Sequence, residues 1–193
     1  MKDFIMAIQQ TSVQFGIDAE KYQTIGRNAR DNGAKGVFNF MSYLAKESKC
    51  PLAEFKEEMI AKLDYSKIGF DAPLKKEMLQ ARKKFDLAIV SNNMRKHIYT
   101  VYNRVFQATP EEMGVRVLGI EDTEYDGVFH PKQTQEGIRT ICHHLGKELS
   151  DCILFDDTQQ NLESAAMMGL GTVLITPEKP LLKALRQLQK TRV

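Results

Sequence analysis

The sequence predicts an α/β protein, with a mainly parallel five-stranded sheet flanked by helices and a small helical lobe inserted after the first strand. Three observations carry this expectation. Asp86-Leu87-Ala88-Ile89-Val90 and Ile153-Leu154-Phe155 are short apolar runs without polar alternation, the pattern of strands buried on both faces. Each run stops at small polar or acidic residues and gives way to a helical pattern. From about residue 12 to residue 85, by contrast, the apolar spacing is helical almost throughout. The chain has 193 residues, of which 42% are hydrophobic and 27% charged, enough for one well-packed domain with a small lobe.

Taken in order, Asp3-Phe4-Ile5-Met6-Ala7-Ile8 reads as a first buried strand ending at Gln9-Gln10-Thr11-Ser12. A helix is expected from Ala19 to Asn32, stopped by Gly33, and a second through Val37 to Leu44 and on towards Ser48. Pro51 opens a third, on which Phe55, Met59, Ile60 and Leu63 share one face, and Pro73 opens a fourth. After the strand at 86–90, a helix over 94–107 leads to a strand at 115–120. A helix from about Thr134 to Leu145 is closed by Gly146, whose lack of a Cβ suits the left-handed turn that ends many helices. The strand at 153–155 follows, then a helix through Leu162 to Met168, a strand at Val173-Leu174-Ile175, and a closing helix from Pro180 to Lys190. On that last helix Lys183, Arg186 and Lys190 are read as a solvated face.

Composition excludes several classes. A formal net charge of +2 argues against nucleic-acid and membrane-surface partners, and no stretch reaches the ~18 apolar residues of a membrane span. The start shows no secretory signal, and Cys50, Cys142 and Cys152 have neither metal-ligand nor disulfide-framework spacing. A cytoplasmic setting is expected, with secretion independent of a signal left open. His143 and His144 diverge by about 100° on their helix, so one is expected to pack and the other to face solvent.

The chemistry gathers at strand ends. Asp156 and Asp157 close the apolar run at 153–155, at the edge where open parallel sheets bind ligands. Two adjacent carboxylates there call for a cation, and magnesium suits oxygen ligands. Ser91-Asn92-Asn93 ends the strand at 86–90 with the small polar residues that a strand-to-helix turn uses as a cap. Lys132 stands just ahead of the helix expected from about Thr134.

These stretches, in this order, resemble the second, third and fourth motifs of the haloacid dehalogenase-like (HAD) superfamily, with Ser91, Lys132 and the Asp156-Asp157 pair on the motif positions. Gln133 stands where the family usually has proline, and Thr158 where serine is more frequent. The resemblance spans the chain and implies a core of residues 1–11 and 86–193 with a helical cap at 12–85 that selects substrate, for which Lys21, Tyr22, Arg27, Phe40 and Tyr43 are candidates. It also places the first motif, Asp-x-Asp-x-Thr or Val, on the first run. Ala7 then falls on the nucleophile, Gln9 on the general acid/base and Thr11 on the threonine, so both catalytic carboxylates are absent. The expectation is a phosphatase-like fold without hydrolysis, binding a phosphorylated small molecule or protein through Ser91, Asn92 and Lys132, with magnesium held weakly by Asp156 and Asp157. Three other readings stand beside it: a magnesium-dependent phosphohydrolase in which Asp156 or Asp157 activates water, a substrate trap made by replacing the two aspartates, and a dead site in which Asp157 and Lys132 form a buried bridge.

Overall fold

A computed structural model of the chain describes residues 2–32, 36–125 and 128–190, with the side chains of 2 and 36–38 excepted. It divides into two compact units, Met1–Lys67 and Ile68–Val193.

The first unit is helical: α1 (Lys2–Gln14), α2 (Ala19–Asp31), α3 (Gly36–Ser48) and α4 (Leu52–Ala61). The first strand expected from the sequence is therefore a helix. Its buried positions are Ala7, Ile8, Thr11 and Ser12, a stripe of helical period, whereas Ile5 and Met6 lie exposed. The apolar run at 3–8 is the first half of that stripe, and Ser12 and Phe15 continue it through polar sequence. Ser12 donates back to the Ile8 carbonyl at 2.8 Å, and Phe15 stacks on Phe55 of α4 at 5.8 Å. Gln14 bridges Glu58 of α4 and Lys62 just past its end at 3.1 and 2.6 Å. Asp18 caps α2 by accepting from the Lys21 N–H. Pro51 stands just ahead of α4, whose Phe55, Met59 and Ile60 are buried as their spacing requires, while Gly33 lies outside the described residues.

The second unit alternates helix and strand: α5 (Ala72–Ala81), β1 (Ala88–Val90), α6 (Arg95–Phe106), β2 (Arg116–Leu118), the hairpin β3 (Glu124–Tyr125) and β4 (Val128–Phe129), α7 (Gln135–Leu145), β5 (Ile153–Asp156), α8 (Gln159–Met167), β6 (Gly171–Leu174) and α9 (Leu181–Lys190). Asp71 caps α5 and Pro73 sits in its first turn; Gly146 ends α7 with φ 60. The expected five-stranded sheet is instead built as parallel pairs among the described residues. β1 pairs with β2, and β5 with β6, without ladder hydrogen bonds between the pairs.

The core of this unit gathers Met78 and Ala81 of α5, Tyr102 and Phe106 of α6, Met113, Val115 and Leu185 of α9. Here α5 belongs with the strands, packing on α9, so the boundary falls at residues 67–68 rather than at 85, and residues 1–11 belong to the helical unit. Lys183, Arg186 and Lys190 are all exposed on α9, and Arg186 also reaches α5. Its Nε donates to the buried Glu77 carboxylate at 2.9 Å, and Gln189 donates to the other oxygen at 2.8 Å.

Candidate functional site at the strand ends of the second unit

Lys132 lies at the centre of the site. The loop that carries it is held on both sides. Its backbone N–H donates to Asn92 Oδ1 at 2.8 Å, and Asn92 Nδ2 donates to Gln133 Oε1 at 3.0 Å. Ser164 of α8 donates to the Gln133 carbonyl at 2.8 Å, so the glutamine in the usual proline position is built into the loop. Thr134 then caps α7 through the Gly137 N–H. A Cβ on Gly137 would lie 2.4 Å from the carbonyl oxygens of His130 and Pro131, so the bare α-carbon lets α7 start directly against this loop.

From that loop the Lys132 ammonium donates to Asp156 Oδ2 at 2.6 Å and to the Val90 carbonyl at 3.2 Å. It thereby spans the carboxyl ends of β5 and β1. Asp156 is 5% exposed, and its second oxygen accepts from the Thr158 N–H at 2.9 Å and from Asn161 Nδ2 at 3.0 Å. Burial pushes its carboxyl towards the neutral form. The Lys132 charge and the hydrogen bonds from Lys132, Thr158 and Asn161 outweigh that and hold it below the usual carboxylate range.

The buried bridge is therefore Asp156–Lys132 and not the Asp157–Lys132 pair read from the sequence. Alternation of side chains decides which acid points inward. Asp156 is the last residue of β5, while Asp157 begins the turn, is exposed, and meets the Thr158 hydroxyl at 3.3 Å. At the end of β1, Ser91 Oγ accepts from the Asn93 N–H at 3.1 Å, which leaves its hydroxyl proton to donate elsewhere. The structure thus brings Ser91, Asn92, Lys132 and Asp156 together. Ala7 and Gln9 lie on α1 in the helical unit, so they do not stand at the end of a strand. His143 and His144 are both exposed, because the buried face of α7 runs through Ile138, Ile141 and Cys142.

The sequence reading gave no role to Asn161 or to the Val90 carbonyl. Asn161 is 5% exposed on the first turn of α8, where a polar residue one turn past an acidic strand end was the available signal. The Val90 carbonyl had no side-chain signal.

Magnesium does not fit these residues as they stand. Both oxygens of Asp156 are engaged by protein donors, and Asp157 alone offers an uncommitted carboxylate oxygen. Among the described residues no three His, Cys, Asp or Glu side chains converge on a point that could hold a metal.

No family model matches the sequence, and no curated protein matches it. The fold does have solved counterparts. A predicted phosphoglycolate phosphatase from Haemophilus somnus 129PT is 15% identical with a TM-score of 0.55, over 98% of this chain and 91% of that one. A HAD family enzyme from Bacteroides thetaiotaomicron, an aspartate-to-alanine variant in complex with magnesium and inorganic phosphate, is 14% identical with a TM-score of 0.52, over 93% and 88%. The UTR4 protein from Saccharomyces cerevisiae is 15% identical with a TM-score of 0.50, over 90% and 80%. The chain shares its α/β fold with these solved structures. No helix among the described residues is long and apolar enough to cross a membrane.

Proposed function

We propose that the chain binds a phosphorylated ligand, small molecule or protein, at the strand ends of its second unit, and that the groups there do not hydrolyse it. The observation that carries this reading is the position of Lys132. Its ammonium sits between the carboxyl ends of β1 and β5, beside a serine hydroxyl with a proton to donate and the Asn92 N–H. Asp156 offsets much of the ammonium charge, so binding is expected to be weak and to rely on the Ser91 hydroxyl and the Asn92 N–H, the Asn93 N–H being committed to Ser91 Oγ. Hydrolysis needs a nucleophile or an activated water facing the phosphorus. Asp156 is locked into its own hydrogen bonds, and Asp157 is exposed without a partner acid. The neighbour from Bacteroides thetaiotaomicron, an aspartate-to-alanine variant in complex with magnesium and inorganic phosphate, supports phosphate binding on this fold. We expect a reducing, cytoplasmic setting, in which Cys142 and Cys152, whose sulfurs lie 3.9 Å apart, stay free thiols.

The test is a titration with inorganic phosphate and with p-nitrophenyl phosphate, followed by amide shifts and by release of p-nitrophenol, with and without magnesium. The expected result is saturable shifts at Ser91–Asn93 and Lys132, weakened in Ser91→Ala, without product. Turnover that Asp157→Asn abolishes would replace this reading by direct attack of water on the ester. Absence of shifts up to molar phosphate would remove the binding role.

A further inference from the structure

We infer that the second unit contains an unfilled strand position between β1 and β5, and that it accepts one extended, apolar polypeptide segment running parallel to both. This goes beyond the phosphate reading and does not rest on it. The argument begins with which way the backbone groups point. In a parallel ladder, alternate residues direct both N–H and C=O to the same neighbour. Arg116 N–H donates to the Leu87 carbonyl and Ser91 N–H to the Leu118 carbonyl, so residues 87, 89 and 91 face β2. Ala88 and Val90 face away. Likewise Gly171 N–H donates to the Cys152 carbonyl and Ile175 N–H to the Asp156 carbonyl, so 152, 154 and 156 face β6. Ile153 and Phe155 face away. Among the described residues no strand pairs with either of these two edges.

The two edges belong to one opening. The Lys132 ammonium touches the Val90 carbonyl, on the free edge of β1, and the Asp156 side chain at the end of β5. The ends of β1 and β5 are thus within reach of one nitrogen, yet no ladder joins the strands. One strand placed between them would hold them roughly 9.5 Å apart, twice the ordinary spacing. Burial agrees. Strands at the middle of a parallel sheet are covered on both faces, but Ile153 is 48% exposed, and Ala88, Ile89, Val90, Leu154 and Phe155 are only half-buried.

The order of elements points to the same vacancy. α6 follows β1 and leads to β2, and α8 follows β5 and leads to β6. α5 leads into β1 with no strand of this unit before it.

The chemistry of the opening selects its occupant. Natural edges are guarded by charge, proline or a bulge, whereas Leu87 to Val90 and Ile153 to Phe155 carry no charge at all. The occupant is therefore a run of about five β-branched or aromatic residues without charge or proline. At its carboxyl end it carries an oxygen acceptor for the third N–H of Lys132, whose other two are committed to Asp156 and Val90.

The experiment is hydrogen exchange of the whole chain, read at the amides of Ala88, Val90, Ile153 and Phe155. The probe is a synthetic peptide, acetyl-Lys-Val-Ile-Val-Phe-Asn-amide. A second peptide has proline in place of the central isoleucine, and a third arm joins the first peptide ahead of Met1 through a flexible Gly-Ser linker, which raises its effective concentration. The expected result is at least tenfold slower exchange at the four amides, with the peptide or in the fusion, and none with the proline peptide. Equal protection by both peptides, or none even in the fusion, would overturn the inference. So would protection in the protein alone that disappears on dilution together with a dimer in sedimentation, because a second copy would then be the occupant. Phosphate shifts at Ser91–Asn93 are read separately, so failure here and failure of the binding role are distinguishable.

Discussion

Lys132 Nζ and Asp156 Oδ2 lie 2.6 Å apart in a bridge whose side chains are 12% and 3% exposed. Replacing the lysine alone would leave a buried carboxylate with only Thr158 and Asn161 to meet it. Lys132→Met is expected to cost about 3–5 kcal/mol of unfolding free energy in a urea titration, the usual consequence of breaking a buried pair. Asp157→Asn, one residue along but exposed, is expected to stay within about 0.5 kcal/mol of the parent.

The same carboxylate sets an acid limit. Its value is lower in the folded state, so its contribution is complete above the unfolded value of about 3.9 and is lost as pH falls from there through the folded value. Melting temperature should therefore fall steeply below about pH 4. In Asp156→Asn that segment of the curve should be shallower, on a protein already weaker at neutral pH.

Ala7→Asp combined with Gln9→Asp tests where the first motif went. Ala7 is 2% exposed within the helical unit, and Gln9 is exposed on the same helix. The pair should yield no phosphatase activity. A carboxylate at position 7 is expected to lower stability by about 2 kcal/mol or more, because it buries a charge without a partner. Recovery of hydrolysis would mean that α1 can be drawn into the sheet as a strand.

Thr11 offers a stabilising change. Its hydroxyl is fully buried on α1 and has no hydrogen-bond partner among the described residues. Thr11→Val keeps the shape and removes the unsatisfied oxygen, so thermal unfolding should show a gain of about 1 kcal/mol.

Gly137→Ala should act in the opposite direction. Two backbone oxygens already occupy the space of a Cβ, and the loop they belong to is the one that presents Lys132. The expected loss is about 1–3 kcal/mol, with shifted amides from His130 to Thr134 as the local signature.

Much of the second unit was legible because its signals are local. Asp71 and Pro73 at the start of α5, Thr134 and Gly146 around α7, and the apolar run at 153–155 each mark their element within a few residues. The error at residues 3–8 has a specific cause. Six apolar-rich residues fit a buried strand and half of a helix equally well, and only the continuation through Thr11, Ser12 and Phe15 separates them. That continuation is polar in composition but buried in fact. The choice between Asp156 and Asp157 failed for another reason, since the position at which the strand ends decides which side chain points inward. The division into paired strands was not legible at all. Strand order depends on contacts remote in sequence, and each apolar run looks the same whether or not a neighbour lies beside it.

The pairing of α5 with α9 also bears on how the chain is made. Glu77 receives Arg186 and Gln189, and Lys84 Nζ donates to the Gln189 carbonyl at 3.1 Å, so the earliest helix of the second unit is completed by the latest. During synthesis on a ribosome, residues 1–67 can close on contacts of short sequence separation as soon as they emerge. The second unit must wait for nearly the whole chain, with Glu77 and the apolar side of α5 uncovered until α9 leaves the exit tunnel. That interval is when this protein depends most on holding chaperones, and a stop codon before residue 186 would make the exposure permanent.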